Sequence, residues 1–233
     1  MMPKTPIKAA CKRHDAGNAG KAVKVKRRLV HRRSLDDPPA GVRGTRFDPD
    51  DLFSLARYFP IDLKRPAEEK VNPYTNKKYI PGVKFAWQGP KSYAFDGTSA
   101  LPASPITDNV FEFYQTLCRA LRVPSQPKSK LGALLTCYIG PEASGITKTH
   151  GLSPHLDDEP INDRSHHVIL ATATRSGLSR NLTLYAPDSL THLEMPSGSA
   201  CSADLCNIKH GVSFQKKHLG AIFITLTFRV LKA

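Results

Sequence analysis

The sequence predicts a mainly β fold with flanking helices, in which short strands form a sandwich or jelly roll. Strand-like apolar runs separated by Gly, Pro, Ser and Asp fill the second half of the chain, and two helical segments precede them. The chain begins with a strongly basic segment that has no aromatic residue. At 233 residues the chain is long enough for one well-buried domain and a tail.

Residues 1–45 are predicted to form a disordered basic arm and linker. They contain twelve Lys or Arg and three Asp, so that +9 of the formal net charge of +14 lies in this segment. Without a periodic apolar pattern the segment cannot build a core, and residues 36–41 are rich in structure breakers. Such charge indicates a polyanionic partner, namely nucleic acid. A nuclear signal, an organellar transit peptide and a solubilising tail remain alternatives.

Composition also predicts the environment of the protein. No run of apolar residues is long enough for a membrane span, and the start lacks the apolar stretch of a secretory signal. The five cysteines are odd in number and irregularly spaced, which favours free thiols in a reducing compartment. We therefore expect an intracellular monomer, cytoplasmic or nuclear, that does not associate with membranes. Organellar targeting by the basic N-terminus stays open.

Two helices are predicted ahead of the strands. The first begins at Asp50-Asp51 and carries apolar residues as far as Phe59. The second is capped by Thr107-Asp108 and is expected to pack on a sheet. Its apolar face is formed by Val110, Phe111, Tyr114, Leu117, Cys118 and Leu121.

The strands are predicted after Pro124. They cover residues 134–139, 167–174, 181–185, 192–195 and 221–230. The globular domain is expected to span residues 46–233, with its core in residues 130–233.

A candidate metal site lies among these strands. His155 and Asp157 are two positions apart, which in a strand places both side chains on one face. With His210 as a second imidazole, they make the two-histidine, one-carboxylate set that binds ferrous iron and leaves positions open for substrate and oxygen. On spacing alone, a capped turn is the more common explanation of His-x-Asp. A zinc site at Cys201, Cys206 and His210 is the weaker alternative, because no further pair of ligands follows.

Three blocks around these residues resemble the AlkB family of iron- and 2-oxoglutarate-dependent nucleic-acid demethylases, particularly the AlkB domains of plant RNA viruses. His-Leu-Asp-Asp-Glu-Pro at 155–160 is similar to the family's His-x-Asp-x-Glu-Pro block. Lys-His-Gly-Val at 209–212 is similar to its second-histidine block, and Ile-Thr-Leu-Thr-Phe-Arg at 224–229 to its last strand. Weaker similarity at residues 76–77, 85–89 and 136–138 extends the resemblance over residues 65–233.

The resemblance implies a double-stranded β-helix, the jelly-roll core of that family, with Fe(II) as cofactor and 2-oxoglutarate as cosubstrate. The implied iron ligands are His155, Asp157 and His210. The implied cosubstrate contacts are Arg229, which pairs with a carboxylate as a charged bidentate fork, Tyr138, which offers its hydroxyl, and Thr136, which stands where the family has asparagine.

The resemblance also leaves roles open. Asp158 is the candidate catalytic residue, and it or Glu159 orients a bound histidine, contacts the target base or merely caps the following turn. The family's last strand carries two arginines six residues apart, and this chain has Phe223 at the first position. The residues considered for the missing carboxylate anchor are Lys216, Lys217 and Arg175.

The implied activity is oxidative demethylation of N-alkylated RNA or single-stranded DNA. Trp87 and Tyr79 are candidate surfaces for stacking an unpaired base, or else core residues. Two alternatives are kept: a jelly-roll protein that binds nucleic acid, as a coat protein does, with impaired or no catalysis, and an oxygenase that hydroxylates a protein or a small molecule.

Overall fold

The computed structural model describes residues 29–61, 70–71, 78–79, 83–94, 100–139, 152–175, 179–213 and 222–233. Within these ranges the chain forms the helices α1 (Pro49–Ala56) and α2 (Asp108–Leu121) and a 3₁₀ turn at Lys128–Lys130. The strands of the described ranges are, in chain order, β1 (Leu29–Arg33), β2 (Arg43–Arg46), β3 (Lys70–Val71), β4 (Lys78–Tyr79), β5 (Val83–Gln88), β6 (Tyr93–Ala94), β7 (Ala100–Leu101), β8 (Leu131–Ile139), β9 (Leu152–His155), β10 (Val168–Thr174), β11 (Arg180–Tyr185), β12 (Ser189–Met195), β13 (Ser199–Ala203), β14 (His210–Ser213) and β15 (Ile222–Val230).

Two sheets pack face to face. The larger has the order β2-β13-β10-β15-β8-β5 and the smaller β1-β12-β11-β14-β9. From β8 onward the chain crosses repeatedly from one sheet to the other, and the pairings among β8 to β15 are antiparallel. This is the arrangement of a jelly roll. The predicted fold class is therefore confirmed, and each of the five predicted strands is present within a few residues of its predicted bounds.

Helix α1 is present, but it is capped by Asp48, so that Asp50-Asp51, the predicted cap, lies in its first turn. The Asp48 carboxylate accepts a hydrogen bond from the Asp50 main-chain N–H over 2.9 Å, and Pro49 occupies the first turn, where its missing N–H costs nothing. Leu52 and Leu55 are buried against the larger sheet.

Helix α2 covers the same face of the larger sheet. It starts after Thr107, as predicted, and ends at Arg122, which adopts a left-handed conformation with φ of 55°. Tyr114 packs its ring 5.2 Å from that of Phe228 on β15, which fixes the helix on the sheet.

Strand β15 shows how the two faces of the larger sheet differ, since successive side chains alternate between them. The residues that pack with the helices are apolar: Ile224, Leu226 and Phe228. The alternate residues are buried between the sheets: Phe223, Thr225, Thr227 and Arg229. Part of this interior is apolar, where Leu170 meets Leu182 and Leu193 of the smaller sheet. The remainder holds buried polar and charged groups, an arrangement that a core tolerates only when those groups find partners.

Residues 29–46 belong to the fold, which corrects the prediction of a disordered arm and linker over residues 1–45. β1 pairs in parallel with β12, and β2 pairs with β13. Leu35 and Val42 are buried in the apolar cluster between the sheets. Edge strands are held by main-chain hydrogen bonds and need few apolar side chains, so these two strands could not be recognised from their basic sequence. Residues 1–28 lie outside the described ranges, and for them the arm remains a prediction.

In the described ranges, neither helix has the length and apolarity needed to cross a membrane. Four cysteines lie in these ranges, and all of them are buried: Cys118, Cys137, Cys201 and Cys206.

Candidate metal centre

The two histidines predicted as metal ligands lie at neighbouring strand ends. His155 is the last residue of β9 and His210 the first of β14, and the antiparallel register places them opposite each other. Their ring centroids are 4.3 Å apart. The smaller sheet thus brings together two imidazoles that are distant in the sequence.

Asp157 lies just beyond β9, which corrects the expectation that it shares a strand face with the first histidine. The acidic residues and Pro160 that follow are poor strand formers. The Asp157 main-chain N–H donates to the Leu205 carbonyl over 2.9 Å. The Asn162 side-chain amide donates to the Asp157 carbonyl over 3.1 Å and to the Glu159 carboxylate over 2.9 Å. These bonds hold the segment after β9 against the sandwich and so fix the carboxylate.

The three side chains form a cluster suited to a metal ion. Each offers one ligand atom, and these atoms all lie within 4.8 Å of one another. Asp157 Oδ1 is 3.6 Å from His155 Nε2 and 3.8 Å from His210 Nε2. Such a set occupies part of a metal's coordination sphere and leaves the rest for small molecules. The His155 side chain is 35% exposed whereas the other two are 4% exposed, so the cluster opens to solvent on the His155 side.

The buried histidine is oriented by the main chain. His210 Nδ1 lies 3.2 Å from the Ile208 carbonyl oxygen. An Nδ1–H that donates to this oxygen leaves the lone pair of Nε2 directed towards Asp157. Burial lowers the pKa of His210 to about 4, because the imidazolium form loses its hydration. The ring is therefore neutral at pH 7, the form in which imidazole binds metals.

Arg229 lies beside the cluster. Its Nη2–H donates to Asp157 Oδ2 over 2.9 Å, and both side chains are almost fully buried. Burial on its own raises the pKa of Asp157, but the charge of Arg229 and the two imidazoles outweigh it and hold that pKa below its usual value. The Nε and Nη1 atoms of Arg229 are buried without a hydrogen-bond partner among the described residues. This arginine, predicted to pair with a cosubstrate carboxylate, therefore retains donors for an additional acceptor.

Tyr138 and Thr136, the other predicted cosubstrate contacts, are buried on the face of β8 that meets the interior. Burial raises the pKa of the Tyr138 phenol, so the hydroxyl keeps its proton and can donate it in a hydrogen bond. The charges of Arg180, Asp157 and Arg229 all act on this hydroxyl. The structure thus places Tyr138 in the same polar interior as the cluster, with Thr136 two residues before it on the same face.

Asp158, the predicted catalytic residue, does not join the cluster. Its side chain is exposed and forms an ion pair with Arg164 at 3.4 Å, and its carbonyl accepts a further bond from Arg164 over 2.8 Å. Neighbouring residues in an extended segment point to opposite sides, and Asp157 takes the inward position. Of the roles left open, the structure favours bracing the turn after β9.

Arg180 is a buried charged residue of the interior that sequence reasoning missed. It is the first residue of β11 and is 1% exposed, and its Nη1–H donates to the Thr225 hydroxyl over 2.7 Å. The signal that would have revealed it is the strand alternation, since Arg180 is in phase with the inward-facing Leu182 and Leu184.

Of the residues proposed from sequence to replace the missing arginine at position 223, the one that the structure describes, Arg175, does not lie in this interior. Arg175 is exposed, and its guanidinium packs 4.6 Å from the ring centroid of Phe53, on the helix side of the sheet. Lys216 and Lys217 lie outside the described ranges. Phe223 itself is 3% exposed and faces the interior.

Trp87 is a core residue, which corrects its candidacy as a base-stacking surface. It is 2% exposed, stacks on Tyr93 with 4.5 Å between ring centroids, and donates its indole N–H to the Lys91 carbonyl over 2.7 Å. The side chain of Tyr79 and residues 76–77 lie outside the described part of the chain.

The zinc alternative receives no geometric support. Among the described residues, the group of side chains arranged to hold a metal consists of His155, Asp157 and His210, and includes neither Cys201 nor Cys206. Cys201 instead packs in the apolar cluster between the sheets, where burial raises its pKa to about 12.

Comparisons with known proteins give a distant structural likeness and no match in sequence. No family model matches the sequence, and no curated protein matches it. Among solved structures, the chain is similar to the crystal structure of an oxidoreductase of the 2OG-Fe(II) oxygenase family from Burkholderia pseudomallei. The identity is 9% and the TM-score 0.46, and the match covers 82% of this chain and 85% of that chain. A likeness of this degree assigns no family, so the chemistry of the protein is inferred from the residues of its own site.

Proposed function

We propose that this protein is an Fe(II)- and 2-oxoglutarate-dependent oxygenase. The observation that carries the proposal is the cluster of His155, Asp157 and His210 between the sheets of a jelly roll. Two imidazoles and one carboxylate with open positions are the ligand set typical of non-haem Fe(II) oxygenases. When bound, ferrous iron would activate dioxygen, of which one oxygen atom would be taken up as 2-oxoglutarate becomes succinate and carbon dioxide, and the other would oxidise the substrate.

The surroundings of the cluster favour an oxygenase over a zinc hydrolase, which uses similar ligands. The site of a hydrolase must activate a water molecule. The site of a 2-oxoglutarate oxygenase must also provide cationic and hydroxyl groups that bind the carboxylate of the 2-oxo acid. Arg229 provides two buried N–H groups beyond the one it gives to Asp157. The Tyr138 hydroxyl provides a neutral donor, and Thr136 lies two residues away on the same face.

The residues of the chain then have distinct tasks. Arg229 keeps Asp157 ionised, the Ile208 carbonyl keeps His210 in the tautomer that presents Nε2, and the buried interior excludes water. The partly exposed side at His155 is the direction from which a substrate reaches the cluster.

For the substrate we propose an N-alkylated nucleic acid, either RNA or single-stranded DNA, from which the alkyl group is removed by oxidation. The order and the sequences of the blocks at 155–160, 209–212 and 224–229, which resemble those of the AlkB family, support this class of substrate. The net charge of +14 supports binding to phosphates. A base stacked in a duplex cannot reach a partly buried metal, so the target base must be unpaired or flipped out.

The first experiment tests the metal and cosubstrate together. Ferrous protein is titrated anaerobically with 2-oxoglutarate, and the visible charge-transfer band between iron and the 2-oxo acid is recorded. His155→Ala, which removes a ligand at the exposed side, should lose the band. A wild-type protein without a band would contradict the oxygenase and leave a jelly-roll binding protein of the coat type.

The second experiment tests the substrate class. Loaded protein is incubated with methylated single-stranded oligonucleotides, the same strands in duplex form, and peptides, and the products are identified by mass spectrometry. Loss of the methyl group from single strands, with little reaction on duplexes, is expected. Turnover of 2-oxoglutarate with oxidation of peptides alone would retain the oxygenase and replace its substrate.

A further inference from the structure

Arg180 is a buried cation for which the described residues supply no carboxylate. Its side chain is 1% exposed, and the ionisable groups that act on it are Tyr138 and Cys201, both neutral at pH 7. A guanidinium keeps its proton in proteins. Because a charge buried without a counter-ion destabilises a fold strongly, an anion is expected to complete this site.

The donors of Arg180 indicate the shape of that anion. Nη1 is occupied by the Thr225 hydroxyl at 2.7 Å. Nε and Nη2 are buried and have no hydrogen-bond partner in the described part of the chain. These two N–H groups point outward from one edge of the guanidinium plane, at a spacing that matches the two oxygens of a carboxylate. The open edge is therefore suited to bidentate binding of a carboxylate.

The position of Arg180 links this edge to the metal cluster. Its partner Thr225 faces the same side of β15 as Arg229, which is bound to Asp157. The charges of Arg180 and Asp157 both act on the Tyr138 hydroxyl. Arg180 and the cluster therefore share the polar part of the interior, and Tyr138 interacts with charged groups of both.

We propose that Arg180 binds the distal carboxylate of 2-oxoglutarate, an inference that rests on the proposed function above. Arg180 would replace the arginine that the AlkB family has in its last strand, at the position where this chain has Phe223. Here the charge is supplied from β11 of the opposite sheet, and Thr225 and Tyr138 position the guanidinium. Arg180 thereby selects 2-oxo acids that carry a second carboxylate.

The test compares two ligands that differ only at the distal group. 2-Oxopentanoate has the same carbon chain as 2-oxoglutarate but a methyl group in place of the distal carboxylate, and both have the 2-oxo acid group that gives the charge-transfer band. Wild-type ferrous protein should bind 2-oxoglutarate about 10- to 100-fold more tightly, the range expected for charge-assisted hydrogen bonds. Arg180→Met should lose most of this preference through weaker 2-oxoglutarate binding, with 2-oxopentanoate affinity unchanged.

Three controls separate the possible causes of a loss. Arg175→Met, which removes an exposed arginine on the helix side, should leave both affinities unchanged. Mn²⁺ affinity of Arg180→Met, measured without cosubstrate, should equal that of wild type because the metal ligands are intact. If Arg180→Met fails to fold, Thr225→Val removes the acceptor for Nη1 and should reduce the preference partially.

The outcomes are distinct. No band with either 2-oxo acid in wild type would overturn the proposed function and the role of Arg180 together. A normal band with equal affinity for both ligands, or a preference retained in Arg180→Met, would overturn the role of Arg180 and leave the oxygenase intact.

Discussion

Asp157 and Arg229 form a buried ion pair in which the two carboxylate oxygens have separate partners. Oδ2 accepts the Arg229 Nη2–H over 2.9 Å, whereas Oδ1 faces the Nε2 atoms of His155 and His210. The arginine therefore holds the carboxylate ionised and turned so that one oxygen stays available to a metal ion. Breaking such a pair leaves an uncompensated charge in the interior.

Arg229→Met is expected to lower the free energy of unfolding of the metal-free protein by about 3–5 kcal/mol, the usual cost of removing one partner of a buried pair. Urea unfolding followed by circular dichroism measures this. The matched control is Arg164→Met, which removes the partner of the exposed Asp158 and should cost about 1 kcal/mol or less. Equal costs for the two variants would show that the buried pair contributes no special stability.

Asp157→Asn is expected to reduce Mn²⁺ and Fe²⁺ affinity at least about 100-fold, since it removes the anionic ligand while keeping the shape of the side chain. Isothermal titration of metal-free protein measures the affinity. Asp158→Asn provides the neighbouring control, because its carboxylate is exposed and paired with Arg164. Metal binding unaffected in both variants would remove Asp157 from the ligand set.

The sequence predicted the elements whose apolar pattern is strong. Helix α2 and the strands β8, β10 and β15 have continuous or periodic apolar residues, and their existence follows from local periodicity. β1 and β2 were missed because they are held by main-chain hydrogen bonds at sheet edges and because each contains two arginines. Sheet edges are recognised by pairing, which is a tertiary property.

The site was predicted only in part, because local motifs indicate some of its residues and tertiary contacts determine the others. The structure brings His155, Asp157 and His210 together, as the motifs indicated, while metal binding itself stays a prediction. Strand alternation would have indicated that Arg180 is buried, but its partner Thr225 is on the other sheet, and no local pattern tells which strands face each other across a sandwich. Asp158 was misplaced because alternation along an extended segment decides which of two adjacent acids turns inward.

The Lys128–Asp108 ion pair predicts a pH dependence of stability. Lys128 Nζ lies 2.6 Å from Asp108 Oδ1, and this hydrogen bond lowers the pKa of Asp108 in the folded state. Because the pKa of Asp108 is lower in the folded than in the unfolded state, the ion pair stabilises the protein fully above the unfolded pKa of about 4. This stabilisation is lost as the pH falls through the folded pKa. Asp108→Asn should therefore lower the melting temperature slightly at neutral pH and match wild type in strong acid. Lys128→Met should give the same result, and the double variant no further change.

The thiols of the described residues are expected to be unreactive in the folded protein. Burial raises the pKa of Cys201 to about 12 and of Cys206 to about 11, so little thiolate forms at pH 8. Cys11→Ser protein should show no rapid reaction with a disulfide reagent until denaturant is added. A chelator should not increase the reaction of these thiols with the reagent. An increase would support the alternative of a zinc site at the cysteines.

Gly132→Ala should disturb the packing that supports Arg229. A Cβ at position 132 would collide with the Trp87 ring, which stacks on Tyr93, and Tyr93 in turn lies 5.3 Å from the guanidinium of Arg229. Forcing a side chain into a filled core costs about 1–3 kcal/mol. Because Trp87 is the only tryptophan of the chain, its fluorescence reports the displacement directly.

The control for this packing is a smaller ring. In a Trp87→Phe background, Gly132→Ala should cost less, since phenylalanine does not reach the α-carbon of residue 132 as the indole does. Unfolding of the four proteins by urea gives the coupling energy between the two positions. A coupling near zero, with unchanged tryptophan emission in Gly132→Ala, would mean that the indole is not held against β8 and that Tyr93 and Arg229 are positioned without it.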